Sequence, residues 1–165
     1  MVTAIKGNDT STFGGNVDVT GNVITDAPAF SAYQSSAQSI SSATWTLITF
    51  DSTEYNVGNM FDTSTNTFQP TVAGYYFIHA MVRFAATTAN KVLVARIYKN
   101  GSYYSAFEGG SSSGDSSTQT SGLMYMNGST DYVEFYSYQN SGGNLNTGSY
   151  NNATVVFEGY LVRAA

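Results

Sequence analysis

Tyr75-Tyr-Phe-Ile-His-Ala-Met-Val-Arg-Phe84 decides how this chain of 165 residues folds. In a strand, successive side chains point to opposite faces. Tyr76, Ile78, Ala80, Val82 and Phe84 therefore form one row, and Tyr75, Phe77, His79, Met81 and Arg83 the other. The first row can fill a core. The second is also substantially apolar, so something other than water must cover it. Thr154-Val-Val-Phe-Glu-Gly-Tyr-Leu-Val162 repeats the pattern, with Val155, Phe157 and Leu161 on one side and Val156, Tyr160 and Val162 on the other. Antiparallel sheets commonly leave one face to solvent. Two strands apolar on both sides imply a sheet buried on both faces, the second against other subunits.

Outward from these runs, short β-type segments alternate with turn clusters. The expected strands are Ala29 to Gln34, Thr44 to Phe50, Thr67 to Pro70, Tyr75 to Ala85, Val92 to Lys99, Ser117 to Met126, Tyr132 to Tyr138 and Thr154 to Val162. Asn100-Gly101 signals a hairpin, because both residues tolerate positive φ. Thr, Val, Tyr and Phe are plentiful while Leu, Glu and Lys are sparse, which suits pleated sheet rather than helix. The chain is expected to be all-β, a sandwich, jelly roll or barrel.

Composition narrows the function. With no Cys, neither disulfides nor thiolate chemistry is available, and a single His precludes a His-rich metal cluster. The net charge is −5 and the six Lys and Arg residues are scattered, so nucleic acid, which demands phosphate neutralisation, is not an expected partner. No apolar run approaches the roughly 20 residues of a membrane-spanning helix, and the first residues lack the apolar region of a secretory signal. Neither membrane insertion nor a cofactor is expected.

Residues 1–26 differ from the rest. Gly15-Asn-Val-Asp-Val-Thr-Gly-Asn-Val-Ile24 repeats a Gly-Asn-Val unit and has too few large apolar groups for a core of its own. It reads as an arm for attachment or trimerisation, or as a plain leader. Asp26-Ala-Pro28 marks the boundary with a domain over 27–165.

From Phe50 the spacing runs Phe50, Asn56, Phe61, Phe68, Gly74, Tyr76. This resembles the signature of the complement C1q globular-head family, within the superfamily of the tumour necrosis factor cytokines. Pro28-Ala-Phe-Ser-Ala32 is similar to that family's opening strand, and Val156-Phe-Glu-Gly-Tyr-Leu161 to its closing one. Ile78 and Ala80 depart from it, standing where the family tends to have Phe and an aromatic. The resemblance covers about residues 28–163. It implies a ten-strand jelly-roll β-sandwich assembled as a homotrimer, with Tyr75, Phe77, His79, Met81, Val156, Tyr160 and Val162 at the trimer interface. Binding rather than catalysis is the implied activity.

The motifs weigh against an enzyme. Gly110-Ser-Ser-Ser-Gly114 matches a nucleophile elbow centred on Ser112, but an elbow needs a strand before it, a helix after it and a His base. His79 reads as a hydrogen-bonded residue of the core or of a subunit contact. If it lines a threefold axis, the trimer is expected to weaken below about pH 6. Asp51 with Glu54, and Asp131 with Glu134, read as solvated turn charges, and no calcium-loop spacing is present. Sequons at Asn8, Asn100, Asn127 and Asn152 are unremarkable in a chain so rich in Asn, Ser and Thr.

The long polar segments are the candidate recognition loops. Tyr, Ser, Gly and Asn suit binding surfaces, since Tyr supplies area at low entropy cost and the others adapt their hydrogen bonds. Tyr103, Tyr104, Phe107, Asn140, Asn144, Asn146 and Tyr150 are the expected ligand-binding residues. Together these features point to a bacteriophage virion surface protein, a fibre or tail tip that binds a cell-surface glycan or protein receptor and joins other virion proteins through its arm. A structural capsid decoration or fibre cap, and a secreted C1q-like binder, are the alternatives.

Overall fold

The computed structural model describes residues 27–148 and 154–165. The arm over 1–26 lies outside the described residues, as does Tyr150. Thirteen strands occur among those described: β1 (Ala29–Tyr33), β2 (Ser39–Ile40), β3 (Thr46–Leu47), β4 (Ser52–Val57), β5 (Phe61–Asp62), β6 (Thr67–Phe68), β7 (Gly74–Thr87), β8 (Val92–Lys99), β9 (Ser102–Gly110), β10 (Gly114–Met126), β11 (Val133–Gln139), β12 (Leu145–Asn146) and β13 (Val155–Ala164). All pairings are antiparallel. One sheet runs β10-β7-β13-β1-β4 and the other β5-β6-β11-β8-β9, with β3 added beside β11 and β2 paired with β12. The two main sheets hold five and six strands, where the resemblance implies ten in all, and β2 with β12 forms a separate two-stranded sheet.

The long run reads as its alternation predicts. Tyr76, Ile78, Ala80, Val82 and Phe84 are fully buried, and the opposite row lies on the outer face of the first sheet. The core between the sheets is aromatic. Phe30 stacks on Phe68 with ring centroids 4.4 Å apart, and Phe50 on Phe157 at 5.8 Å. Tyr76 donates its buried hydroxyl to the carbonyl of Val72 at 2.8 Å, and burial pushes its pKa up to about 12.

Each residue of the 50–76 spacing has a physical task. Phe50, Phe61, Phe68 and Tyr76 fill the core. Asn56 latches the turn after β4, its Oδ1 accepting from the backbone of Met60 (3.0 Å) and Phe61 (3.1 Å) while its Nδ2 donates to the Phe61 carbonyl at 2.8 Å. Gly74 sits against the last strand, where an added Cβ would lie 2.4 Å from the carbonyl oxygen of Arg163.

Besides the two-residue β2, β5 and β12, two longer strands were not anticipated, β4 and β9. Both are sheet edges, where half the backbone groups face solvent and polar residues such as Ser52, Glu54, Ser102 and Ser105 are admissible, so their alternation is weak. Asn100 (φ 53°) and Gly101 (φ 70°) form the predicted tight hairpin between β8 and β9. The expected strand Thr44 to Phe50 shrinks to Thr46–Leu47.

Candidate recognition surfaces

The outer face of the first sheet is built by cross-strand register. Phe77 lies opposite Leu123 of β10 and Tyr160 of β13, and Tyr75 lies opposite Tyr125. Phe77 packs on Tyr160 with ring centroids 5.7 Å apart, and Tyr75 on Tyr125 at 5.6 Å. These contacts leave much of the rings uncovered. Tyr55, Tyr75, Leu123, Tyr125, Tyr160 and Val162 are each between 43% and 55% exposed. Val156 is only 8% exposed, so it has little surface left for another subunit, whereas Leu123, Tyr125 and Tyr55 belong to the apolar face although sequence reasoning did not select them.

His79 lies in the middle of this face, half-buried. Its Nδ1 is 3.1 Å from Glu158 Oε1, and its Nε2 is 3.3 Å from Gln119 Oε1. With a carboxylate beside it, Nδ1 is the donor; the Gln119 amide can serve Nε2 in either orientation. His79 and Gln119, with Ser105, Phe107 and Ser121, also line a cleft of about 360 Å³ where β9 meets β10. A smaller cleft of about 170 Å³ opens among Tyr55, Phe77, Glu158, Gly159 and Tyr160.

The second sheet turns a different aromatic surface outward. Arg96 sits at its centre on β8, with Tyr136 of β11 and Ala106 of β9 as register neighbours. Its guanidinium carbon is 3.8 Å from the ring centroid of Trp45 and 4.6 Å from that of Tyr103. Nη1 donates to the Tyr98 hydroxyl at 3.3 Å, while Nε is buried without a hydrogen-bond partner among the described residues. The ion pairs among the described residues are His79–Glu158, Arg83–Asp115 and Lys99–Asp131, so Arg96 is held by aromatic rings rather than by a carboxylate. Tyr138 flanks Trp45 at 5.2 Å, and Tyr98 flanks Tyr136 at 4.8 Å. Glu134, on the same face, has its pKa raised by burial.

The expected ligand-binding residues do not form one site. Tyr103, Tyr104 and Phe107 are exposed, but on the edge strand β9 rather than on a loop. Tyr104 donates to the Leu123 carbonyl at 2.6 Å. Asn140 caps the start of β8 by accepting from the Val92 backbone at 2.7 Å, which is a structural role. Tyr103 pairs near the far end of β8, six residues from Val92, so the two lie roughly 20 Å apart at strand rise. Asn144 is exposed, and Asn146 lies on β12 opposite Ser39. Sequence reasoning missed Trp45 and Arg96. Its available signal was the outward rows Arg96, Tyr98 and Tyr136, Tyr138.

The other motifs resolve as structure. Ser112 lies in a strand–turn–strand connection, its hydroxyl 3.3 Å from that of Ser116 and touching no imidazole. Asp131 is held below the usual carboxylate range by hydrogen bonds from Asn100 and Lys99. For Asp51, burial opposes ionisation, but hydrogen bonds from Ser35 and Ser52 together leave its pKa lowered. Asn100 and Asn127 spend their amides on the same turn: Asn100 bridges Asp131 and the Tyr132 backbone, and Asn127 accepts from the backbones of Ser129, Thr130 and Asp131. Among the described residues, no three His, Asp or Glu side chains gather to hold a metal.

Comparison with known proteins agrees with this architecture. No curated protein sequence matches the chain. Among solved structures, the globular domain of zebrafish complement 1qA protein superposes with a TM-score of 0.55 at 17% identity, covering 84% of this chain and 99% of that one. Murine APRIL at pH 5.0 superposes with a TM-score of 0.60 at 12% identity, covering 82% and 99%. At this identity the superpositions establish a shared jelly-roll fold and nothing finer. The C1q domain model matches residues 29–162, most of the chain, a span that includes the core residues Phe50, Phe61, Phe68 and Tyr76. On that match the chain belongs to the C1q domain family.

Proposed function

We propose that this is a non-enzymatic binding module that works as a homotrimer on a virion surface and attaches the particle to a host-cell receptor. The observation that carries the trimer is the outer face of the first sheet. Six residues there, each about half exposed, leave an apolar area on the order of 600 Å² per subunit, taking a fully exposed large side chain as about 200 Å². That is at the upper end of what a monomer tolerates and near the ~800 Å² per partner of a standard interface. With this face covered by other copies, the second sheet remains outward to meet a receptor. Threefold repetition then multiplies weak contacts through effective concentration.

The placement on a virion is supported by the Gly-Asn-Val repeats of residues 15–24 and by a surface rich in Ser, Thr, Asn and Tyr without Cys. Sedimentation equilibrium tests the assembly, and a monomer at tens of micromolar would remove it. Immunogold labelling of particles, with competition of adsorption by purified protein, tests the role. Labelled particles whose adsorption the protein does not block would instead indicate a structural decoration. Failure to label any particle would favour a secreted C1q-like binder.

A further inference from the structure

We infer that the outer face of the second sheet is a binding platform for a neutral saccharide, centred on Trp45, Arg96 and Tyr103. This rests on the receptor-binding reading above and assigns it a site and a ligand chemistry.

The Arg96 guanidinium lies against the rings of Trp45 and Tyr103 at 3.8 and 4.6 Å. Stacking engages the flat faces of the cation. Its N–H donors radiate in the plane: Nη1 donates to the Tyr98 hydroxyl at 3.3 Å and Nε is buried, so the remaining Nη N–H groups are left for another acceptor. Such a cation, fixed in place and free of any ion pair among the described residues, is prepared to donate rather than to stabilise the fold.

The charges around it select the ligand. Glu108 lies opposite Val94 and Glu134 opposite Tyr98, so both carboxylates are diagonal neighbours of Arg96 on the same face. Burial raises the Glu134 pKa, so its carboxylate lacks strong compensation there. An anionic ligand would meet these two groups and a net charge of −5. A vicinal diol meets no such penalty: one hydroxyl accepts from Arg96 and the next donates to a carboxylate. The C–H faces of a pyranose ring stack on aromatic rings, and Trp45 and Tyr103 retain 37% and 59% of their surface. Neither cleft described above opens here, so a ligand must lie along the sheet. An extended polyhydroxylated chain fits that shape better than a single anchoring side chain.

Trp45 is the only Trp in the protein, so the proposed site carries its own reporter. The full-length protein is titrated with neutral oligosaccharides (cellohexaose, laminarihexaose, mannohexaose, maltohexaose), with hexagalacturonate as the anionic comparator, while Trp emission and acrylamide quenching are recorded. Affinity electrophoresis through gels containing the matching polysaccharides gives a readout independent of Trp45. At least one neutral sugar should blue-shift the emission, protect Trp45 from acrylamide and retard migration, and hexagalacturonate should do none of these. Arg96→Met and Tyr103→Ala should each weaken retention about tenfold or more, with circular dichroism and oligomeric state unchanged. No response to any neutral sugar, a stronger response to hexagalacturonate, or variants that bind as well as the wild type would overturn the assignment. An emission shift that follows protein concentration rather than sugar would also overturn it, making the face a contact between copies. If the protein still blocks adsorption while no sugar moves Trp45, this site is wrong and the receptor-binding reading stands.

Discussion

Leu123→Asp separates the two lives of the first sheet's outer face. In a lone subunit Leu123 is 55% exposed, directly opposite Phe77, so an aspartate there meets water and should change domain stability by no more than about 0.5 kcal/mol. In a trimer the same position is covered. Its exposed portion, about 100 Å², corresponds to ~2.5 kcal/mol of apolar burial at ~25 cal/mol/Å². Three copies bring the loss to ~7 kcal/mol per assembly, a fall of about five decades in association constant, before the cost of desolvating three carboxylates. Sedimentation equilibrium at 1–50 μM (on the order of the working range for such constants) should report wild-type trimer and L123D monomer. Circular dichroism should give the two the same spectrum. A variant that remains trimeric, or a wild type that is monomeric throughout, would refute the argument that this face is covered by other copies.

Three further outcomes test the fold. Gly74→Ala drives a methyl to 2.4 Å from the Arg163 carbonyl and should lower stability by about 1–3 kcal/mol, read as a reduced urea midpoint; an unchanged midpoint would show that β13 yields easily there. Asn56→Ala strands the Met60 and Phe61 amides and should cost about 1–3 kcal/mol, again without altering the sandwich's spectrum. The folded pKa values of Asp51 and Asp131 lie below 3.8, so the native state binds these protons less readily than the unfolded chain. Their stabilisation is therefore complete at neutral pH and is lost as pH falls below about 4. Asp131→Asn should be less stable than wild type at pH 7, and the gap should narrow towards pH 3; a gap independent of pH would contradict this account.

The strands legible in the sequence are those whose two faces see different surroundings. β7 reads correctly because its inner row is uninterrupted from Tyr76 to Phe84, and the β8–β9 turn because Asn100 and Gly101 both need positive φ. β9 does not read as a strand in the sequence because a register shift between Ile97 and Tyr98 breaks its alternation and one of its sides faces solvent. The expected ligand residues failed for a related reason. Exposure and residue type pick out Tyr103 and Asn140 equally, but only pairing shows that one lies on an aromatic platform while the other caps β8.

From the chain alone come the all-β class, the aromatic core spaced from Phe50 to Tyr76, and the demand that the second row of β7 be covered. These follow from short-range periodicity, which a linear string of residues contains. The pairing of Leu123 with Phe77 arises only when β10 is laid beside β7, and the gathering of Trp45, Arg96 and Tyr103 from three separate segments only when β3, β11, β8 and β9 are assembled in one sheet. Cross-strand register depends on turns and bulges distributed along the chain, so the neighbours of a side chain on a sheet's surface are settled by the folded whole.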